Sequence, residues 1–327
     1  MRALVVDSLG PNYEGVTLKD VPTPTPRPGE VLIRVRAASV NFPDLLMTRG
    51  EYQMKPPLPF VGGMELAGEV VALGEGVDTF AISDPVVGGA KLGGFAEFAV
   101  LPAAAIRRKP DNLGFAQAAA VGAAYLTAYV ALVRRARLEP GEWVLVHGAA
   151  GGVGLAAVDL ARALGARVMA ASASDAKLKI VADEYTPDAT LNVTGGFREQ
   201  VKAITGGGGA DIIYDPVGGD IFDESVRCIA FDGRLLVIGF TSGRIPTVSV
   251  NMPLIKGFSV MGVRAGEYGR QFPDRGRENL EAVWAMAAAG TIRPRVHAEL
   301  PLDQWRAAFN LLADRQVVGK VVIRPDL

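Results

Sequence analysis

One stretch constrains this chain more than any other: WVLVHGAAGGVGLAAVDLARALGARVMAAS, residues 143–172. The apolar run from Trp143 to His147 predicts a strand, Gly152 to Leu164 an alanine-rich helix, and Arg167 to Ala171 a second strand. Between the first strand and the helix lies the glycine turn HGAAGGVG, His147 to Gly154. A glycine turn at a helix start aims backbone N–H groups at an anion, with the helix dipole behind them and no side chains in the way. Strand, turn, helix and strand in that order predict a pyrophosphate site for a dinucleotide, formed by Ala149, Ala150, Gly151, Gly152, Val153 and Gly154. Ala149 stands where the fingerprint's first glycine is expected, and alanine closes such a turn if its φ is negative. A turn that serves only to pack helix on sheet is the alternative, and the complete strand–helix–strand context weighs against it.

The same fingerprint expects a carboxylate about 20 residues on, bonding the ribose 2′-hydroxyl of NAD. This chain has Ala171, Ser172, Ala173 and Ser174 there, with Lys177 one turn into the next helix. A carboxylate would repel a 2′-phosphate, whereas Ser172, Ser174 and the Lys177 ammonium would bind one. NADPH is therefore the expected cofactor. The alternative for Lys177 is an ordinary solvated helix lysine, and Asp175 lies close by.

With 327 residues, two domains are expected. The first 120 residues alternate short β-branched runs with proline and glycine clusters, the pattern of a β-rich domain. From about Phe115 helical and strand patterns alternate: a helix over Ala118 to Arg137, the 143–172 unit, then ADIIYDPV and GRLLVIGF, which predicts a doubly wound parallel sheet. After FSVMGV come a helix near Asn279 to Ala289, a strand at RPRVHAEL, a helix at Leu302 to Asp314 and a strand at VGKVVIR. The expected division is 1–122, then 123–263 as the Rossmann domain, then 264–327 packing back on the first. The fold class is α/β, a Rossmann doubly wound parallel sheet plus a β-rich domain.

Lysine and arginine (34) nearly cancel aspartate and glutamate (35), and no run of like charge is present, so nucleic acid and anionic lipid are not the expected partners. The most apolar run, Ala118 to Val133, is shorter than the roughly 20 residues that span a bilayer. The amino terminus MRALVVDSLG lacks the pattern of a secretion signal, and a cytoplasmic protein acting on a small molecule is expected. A single cysteine, Cys228, and two histidines, His147 and His297, leave few nitrogen or sulfur ligands for zinc. No metal is expected.

AAGGVG, SVNFPDLLMTRGEY (39–52) and GGMELAGEV (62–70) together resemble the zinc-free quinone oxidoreductase, or zeta-crystallin-like, branch of the medium-chain dehydrogenase/reductase family. The resemblance covers essentially the whole chain. It implies a GroES-like catalytic domain made from both chain ends, a Rossmann domain in the middle and a cleft between them. Zinc members carry a GHE motif and an earlier cysteine; the matching positions here are Gly63-Met64-Glu65 and Asn41. Methionine and asparagine are poor replacements for imidazole and thiolate, and Glu65 is read as a structural hydrogen-bond acceptor.

By the same resemblance the catalytic positions are Asn41, Asp44, Tyr52 and Thr127, while Gly239, Phe240 and Val263 line the cofactor. Amide and phenol donors such as Asn41 and Tyr52 suit a quinone oxygen that gains charge as hydride arrives. For Tyr52 a surface tyrosine is the alternative. Three departures from the family pattern stand out: Ser83 and Pro85 in AISDPVVGG replace the glycine and arginine of a GDRVVG turn, and Val193 stands where relatives often have tyrosine.

The expected activity is NADPH-dependent reduction of quinones without a metal. Reduction of an activated C=C bond in an enal, enone or enoyl thioester is the second reading, and a non-catalytic NADPH-binding protein a third from another class. Alcohol oxidation is disfavoured, because it needs a means of lowering the alcohol's pKa. Relatives are often dimers, and the β-branched segment FSVMGV is the candidate pairing edge for a homodimer.

Overall fold

The apolar runs in the second half of the chain form a six-stranded sheet in the order Ala189–Asn192, Arg167–Ser172, Trp143–Val146, Ala210–Asp215, Ile229–Val237, Ser259–Gly262. Every neighbouring pair is parallel. Parallel pairing needs crossover connections, supplied here by helices such as Gly152–Ala163 and Asp175–Tyr185. The first strand, Trp143–Val146, is central, with the later strands leading away on both sides. Strand order therefore reverses between it and Ala210–Asp215, and in such sheets ligands bind beyond the strand ends at that reversal. The glycine turn leaves the sheet there.

The computed structural model describes all 327 residues, which divide into two compact units: 124–293, and 1–123 with 294–327. The return to the first unit thus falls at Arg293–Pro294, where the sequence places it at 264. Local contacts explain the difference. Helix Pro273–Ala288 buries Val283, Trp284 and Ala287, and its Asn279 accepts a hydrogen bond from Arg134 Nε at 2.7 Å. Buried Asp159, on the helix that follows the glycine turn, accepts the Tyr125 hydroxyl at 2.7 Å and the Arg293 N–H at 2.6 Å. One carboxylate thereby ties both ends of the unit 124–293 to the helix that follows the glycine turn.

The other unit holds a seven-stranded sheet centred on the long strand Glu30–Val40, with a smaller three-stranded sheet from Arg2–Val6, Val16–Asp20 and Phe60–Val61. Glu30–Val40 pairs antiparallel with Glu65–Leu73 on one side and Lys320–Arg324 on the other. Alternating apolar residues such as Ile33, Val35, Leu66 and Ile323 are buried, and Trp305 and Phe309 of helix Trp305–Ala313 cover this core. The registers Ala38↔Leu66 and Val321↔Val40 align the strand ends at Ser39–Asn41, Glu65 and Lys320.

The continuous helix expected over Ala118 to Arg137 is broken into Phe115–Ala119, Gly122–Tyr129 and a π-helical turn Val130–Arg135. The restart at Gly122 has a cause: Glu65 Oε2 accepts the Ala123 N–H at 2.7 Å. A carboxylate at a helix start complements the dipole. Gly122 permits its approach, since a Cβ there would lie 2.9 Å from Glu65 Oε2.

Candidate active site

In the nucleotide unit the turn is shaped by Gly148, whose φ is +57°. That explains Ala149, which has no positive φ and donates its N–H to Ala171 O at 3.0 Å. The left-handed residue stands one position earlier than the substituted one. Gly154 is the indispensable glycine: a Cβ there would meet Gly148 O at 2.1 Å. Gly151 caps helix Gly152–Ala163 in an extended conformation. The N–H groups of Gly152, Val153 and Gly154 open that helix, and first-turn N–H groups have no acceptor within the helix.

His147, beneath the turn, is buried against Phe197 and makes a 2.9 Å hydrogen bond between Nε2 and Ser225 Oγ. Burial pushes its imidazole down to about 3, so it is a neutral structural group. Buried Asp215, at the end of the adjacent strand, accepts the Val217 and Gly218 N–H groups at 2.8 and 2.9 Å. Gly239 and Phe240 follow strand Ile229–Val237, and Thr241 and Ser242 donate backbone N–H groups to Pro216 and Val217. Val263 is buried and donates its N–H to Val237 O. Thr127 lies partly buried in helix Gly122–Tyr129.

Ser172 ends the second strand, and Ser174 caps helix Asp175–Tyr185 by accepting the Lys177 N–H. Burial draws the Lys177 ammonium below lysine's ordinary value. Asp175 accepts the Asn192 amide at 2.7 Å, a partner that lies on a neighbouring strand and gives no signal in the local motif.

In the other unit Asn41 and Asp44 come together at the start of helix Phe42–Arg49, where Asp44 Oδ2 accepts the Asn41 N–H at 2.8 Å. Asp44 is buried, and its carboxyl is pushed up to about 7 by burial first, opposed by the Asn41 N–H and the Lys320 charge. The Asn41 side chain turns away from the helix. Its Nδ2 donates to Glu65 Oε1 at 2.9 Å and more weakly to Ser39 O at 3.3 Å, while its Oδ1 accepts from Lys320 Nζ at 2.5 Å. Lys320 also donates to Val40 O at 3.1 Å and lies 3.3 Å from Glu65 Oε1. Tyr52 is half-buried beside the core of this unit. The sequence reading missed Lys320; its signal is one charged residue opening an otherwise buried strand.

Two family models match the chain: the alcohol dehydrogenase GroES-like domain over residues 27–111 and the zinc-binding dehydrogenase over 152–286. A sea-anemone (Nematostella vectensis) protein, quinone oxidoreductase-like protein 2 homolog, is 40% identical over 298 residues, 90% of this chain and 81% of the relative. The chain belongs to the quinone oxidoreductase branch of the medium-chain dehydrogenase/reductase family. Its fold, a GroES-like domain with a Rossmann parallel sheet, is the one expected. Two solved structures with TM-scores of 0.90 overlay 99% of this chain: a mycobacterial protein complexed with NADPH, 31% identical, and an NAD-dependent alcohol dehydrogenase, 33% identical. The overlay covers 100% and 99% of those chains respectively. The chain is an oxidoreductase of the NAD(P)-binding fold, and none of its helices is long and apolar enough to cross a membrane.

The zinc implied by one family description does not fit these residues. The positions that the family resemblance matches to zinc ligands hold Asn41 and Met64, and a cation of the chain itself, Lys320, already lies against Asn41 and Glu65. An ammonium and a zinc ion at one place would repel each other. No three His, Cys, Asp or Glu side chains elsewhere come together to hold a metal.

Proposed function

We propose that this protein is a cytoplasmic, metal-independent NADPH:quinone reductase that works as a homodimer. The observation that carries the proposal is a glycine turn at a helix start together with a unit in which Asn41 and Met64 stand at the positions matched to zinc ligands and Lys320 lies against Asn41 and Glu65. The residues of the turn fit a dinucleotide, because Gly151, Gly152 and Gly154 set no side chain over the N–H groups that open the helix. Ala149 to Gly154 would hold the pyrophosphate, Ser172, Ser174 and Lys177 the 2′-phosphate, and Gly239, Phe240 and Val263 the nicotinamide end. When bound, the nicotinamide supplies a hydride to the substrate.

The chain's own residues position the substrate and answer its charge. Asn41 and Tyr52 offer donors to a carbonyl oxygen that becomes anionic on reduction, and Thr127 is a further catalytic candidate. A quinone suits these groups, since its reduced oxygen takes a proton from solvent or through the Tyr52 hydroxyl. The second reading, an activated C=C bond, is supported by buried Asp44: burial raises its carboxyl to about 7, so part of it is protonated near neutrality, and reduction of an alkene needs a proton delivered to carbon.

The homodimer proposal is supported by the exposed edge strand Ser259–Gly262, beside which Phe231, Leu254 and Ile255 are exposed. An unpaired apolar edge invites a second strand. Light scattering at micromolar protein should give twice the mass of one chain, and a monomer would remove the dimer.

The activity is tested by following NADPH consumption with 1,4-benzoquinone, 9,10-phenanthrenequinone, an enone and crotonyl thioester. Turnover with the quinones above the others is expected. Preference for the enone or thioester would replace this reading with the second, and no turnover with any would leave NADPH binding without catalysis.

A further inference from the structure

We propose that Lys320 is the resident cation of the catalytic unit and the positioning residue that fixes the polarity of the Asn41 amide. Lys320 and Glu65 are 7% and 5% exposed, and their charged atoms lie 3.3 Å apart. One neutral side chain, that of Asn41, bonds to both. Its oxygen faces the ammonium and its nitrogen faces the carboxylate.

An asparagine amide is nearly symmetric in shape, so packing alone does not decide which end carries the oxygen. Here charge decides it. Turning the amide over would set its N–H groups against Lys320 and its oxygen against Glu65, opposing both contacts at once in a buried site. Glu65 is itself anchored through Oε2 to the Ala123 N–H, and Lys320 through Val40 O. Neither end of the clamp can follow a rotating amide. Asn41 therefore presents a fixed N–H direction, and the weak 3.3 Å bond to Ser39 O is the one that an incoming acceptor can displace.

A buried lysine–glutamate pair stabilises little compared with apolar packing, yet removing one partner leaves an uncompensated charge. This predicts separate readouts for stability and for positioning. Lys320→Met should lower the melting midpoint by roughly 10 °C. Glu65→Gln combined with Lys320→Met, which is neutral at both positions, should regain most of that loss. The double variant should nevertheless keep a kcat at least about tenfold below wild type, with NADPH binding retained, because no charge then fixes which way the Asn41 amide faces. In Lys320→Ala, methylammonium should restore kcat several-fold, whereas tetramethylammonium, which has no N–H donor, should not.

The kinetic arm rests on the reading of Asn41 as a substrate contact; the stability arm does not. Wild-type protein that turns over none of the substrates would defeat that reading while the melting midpoints still test the clamp. The clamp is overturned if Lys320→Met melts with wild type. Wild-type kcat in the folded double variant, or equal rescue by both ammonium ions, overturns the positioning role.

Discussion

The glycine turn of the nucleotide unit and the Asn41–Glu65–Lys320 clamp of the catalytic unit solve different electrostatic problems by different means. The turn presents backbone N–H groups at a helix start, the arrangement proposed to meet an external anion, and its side chains matter chiefly by being absent. The clamp places full charges in the interior and satisfies them with each other. The turn spans eight consecutive residues; the clamp joins positions 41, 65 and 320 through strand register. A dipolar site is complete only with its ligand, whereas a paired site is complete by itself.

The sharpest way to break this contrast is to fill the turn. Gly154→Val sets side-chain carbon where Gly148 O lies 2.1 Å from the first added atom. Overpacking of that kind costs about 1–3 kcal/mol, so NADPH affinity should fall by about 100-fold in a fluorescence titration. Binding within a few-fold of wild type would show that the turn is not the pyrophosphate site.

Acidity should move the two regions in opposite directions. His147, held near 3 in the folded protein, resists a proton that the unfolded chain takes up below about 6.5, so its contribution to stability is present above 6.5 and is lost as pH falls toward 3. Asp44 has the reverse sign. Held near 7 with Glu65 and the Lys320 ammonium facing it, it keeps a proton that the unfolded chain releases, so stability falls as pH rises from about 4 to 7. Each slope is at most about 1.4 kcal/mol per pH unit. Melting curves across this range should show His147→Asn removing the acid-side loss and Asp44→Asn removing the loss toward neutrality. Unchanged profiles in both variants would contradict the burial argument.

How much of each region could be read beforehand follows from the same contrast. The turn, its strand and helix, and the parallel sheet were legible because glycine spacing and apolar periodicity are local. Asn41 became a candidate only through resemblance, and Lys320 did not become one, since its partner lies 279 positions away. The helix break at Gly122 was hidden for a related reason: its capping carboxylate, Glu65, is 58 residues distant. The Asp159 tie explains why helix Pro273–Ala288 stays with the nucleotide unit, and no pattern near either end announces it.

Smaller effects sharpen the picture. Lys177→Glu should weaken NADPH by about tenfold or more and NADH little, as a charge-assisted phosphate contact requires. Equal weakening of both would remove Lys177 from the 2′-phosphate site. Two departures from family glycines should then behave differently. Ser83 carries φ +73° in AISDPVVGG, so Ser83→Gly should stabilise by about 0.5–1 kcal/mol in urea unfolding. Ala149 has no such strain, so Ala149→Gly should destabilise by a similar about 0.5–1 kcal/mol and leave NADPH affinity nearly unchanged. Reversed signs would mean that the fingerprint position, and not Gly148, shapes the turn.

Metal independence follows if the cation of the catalytic unit belongs to the chain. It is tested most directly by NADPH oxidation with 9,10-phenanthrenequinone, using protein stripped with a strong chelator and the same protein resupplied with zinc. Equal turnover in both is predicted. Activity that disappears on stripping and returns with zinc would contradict the account.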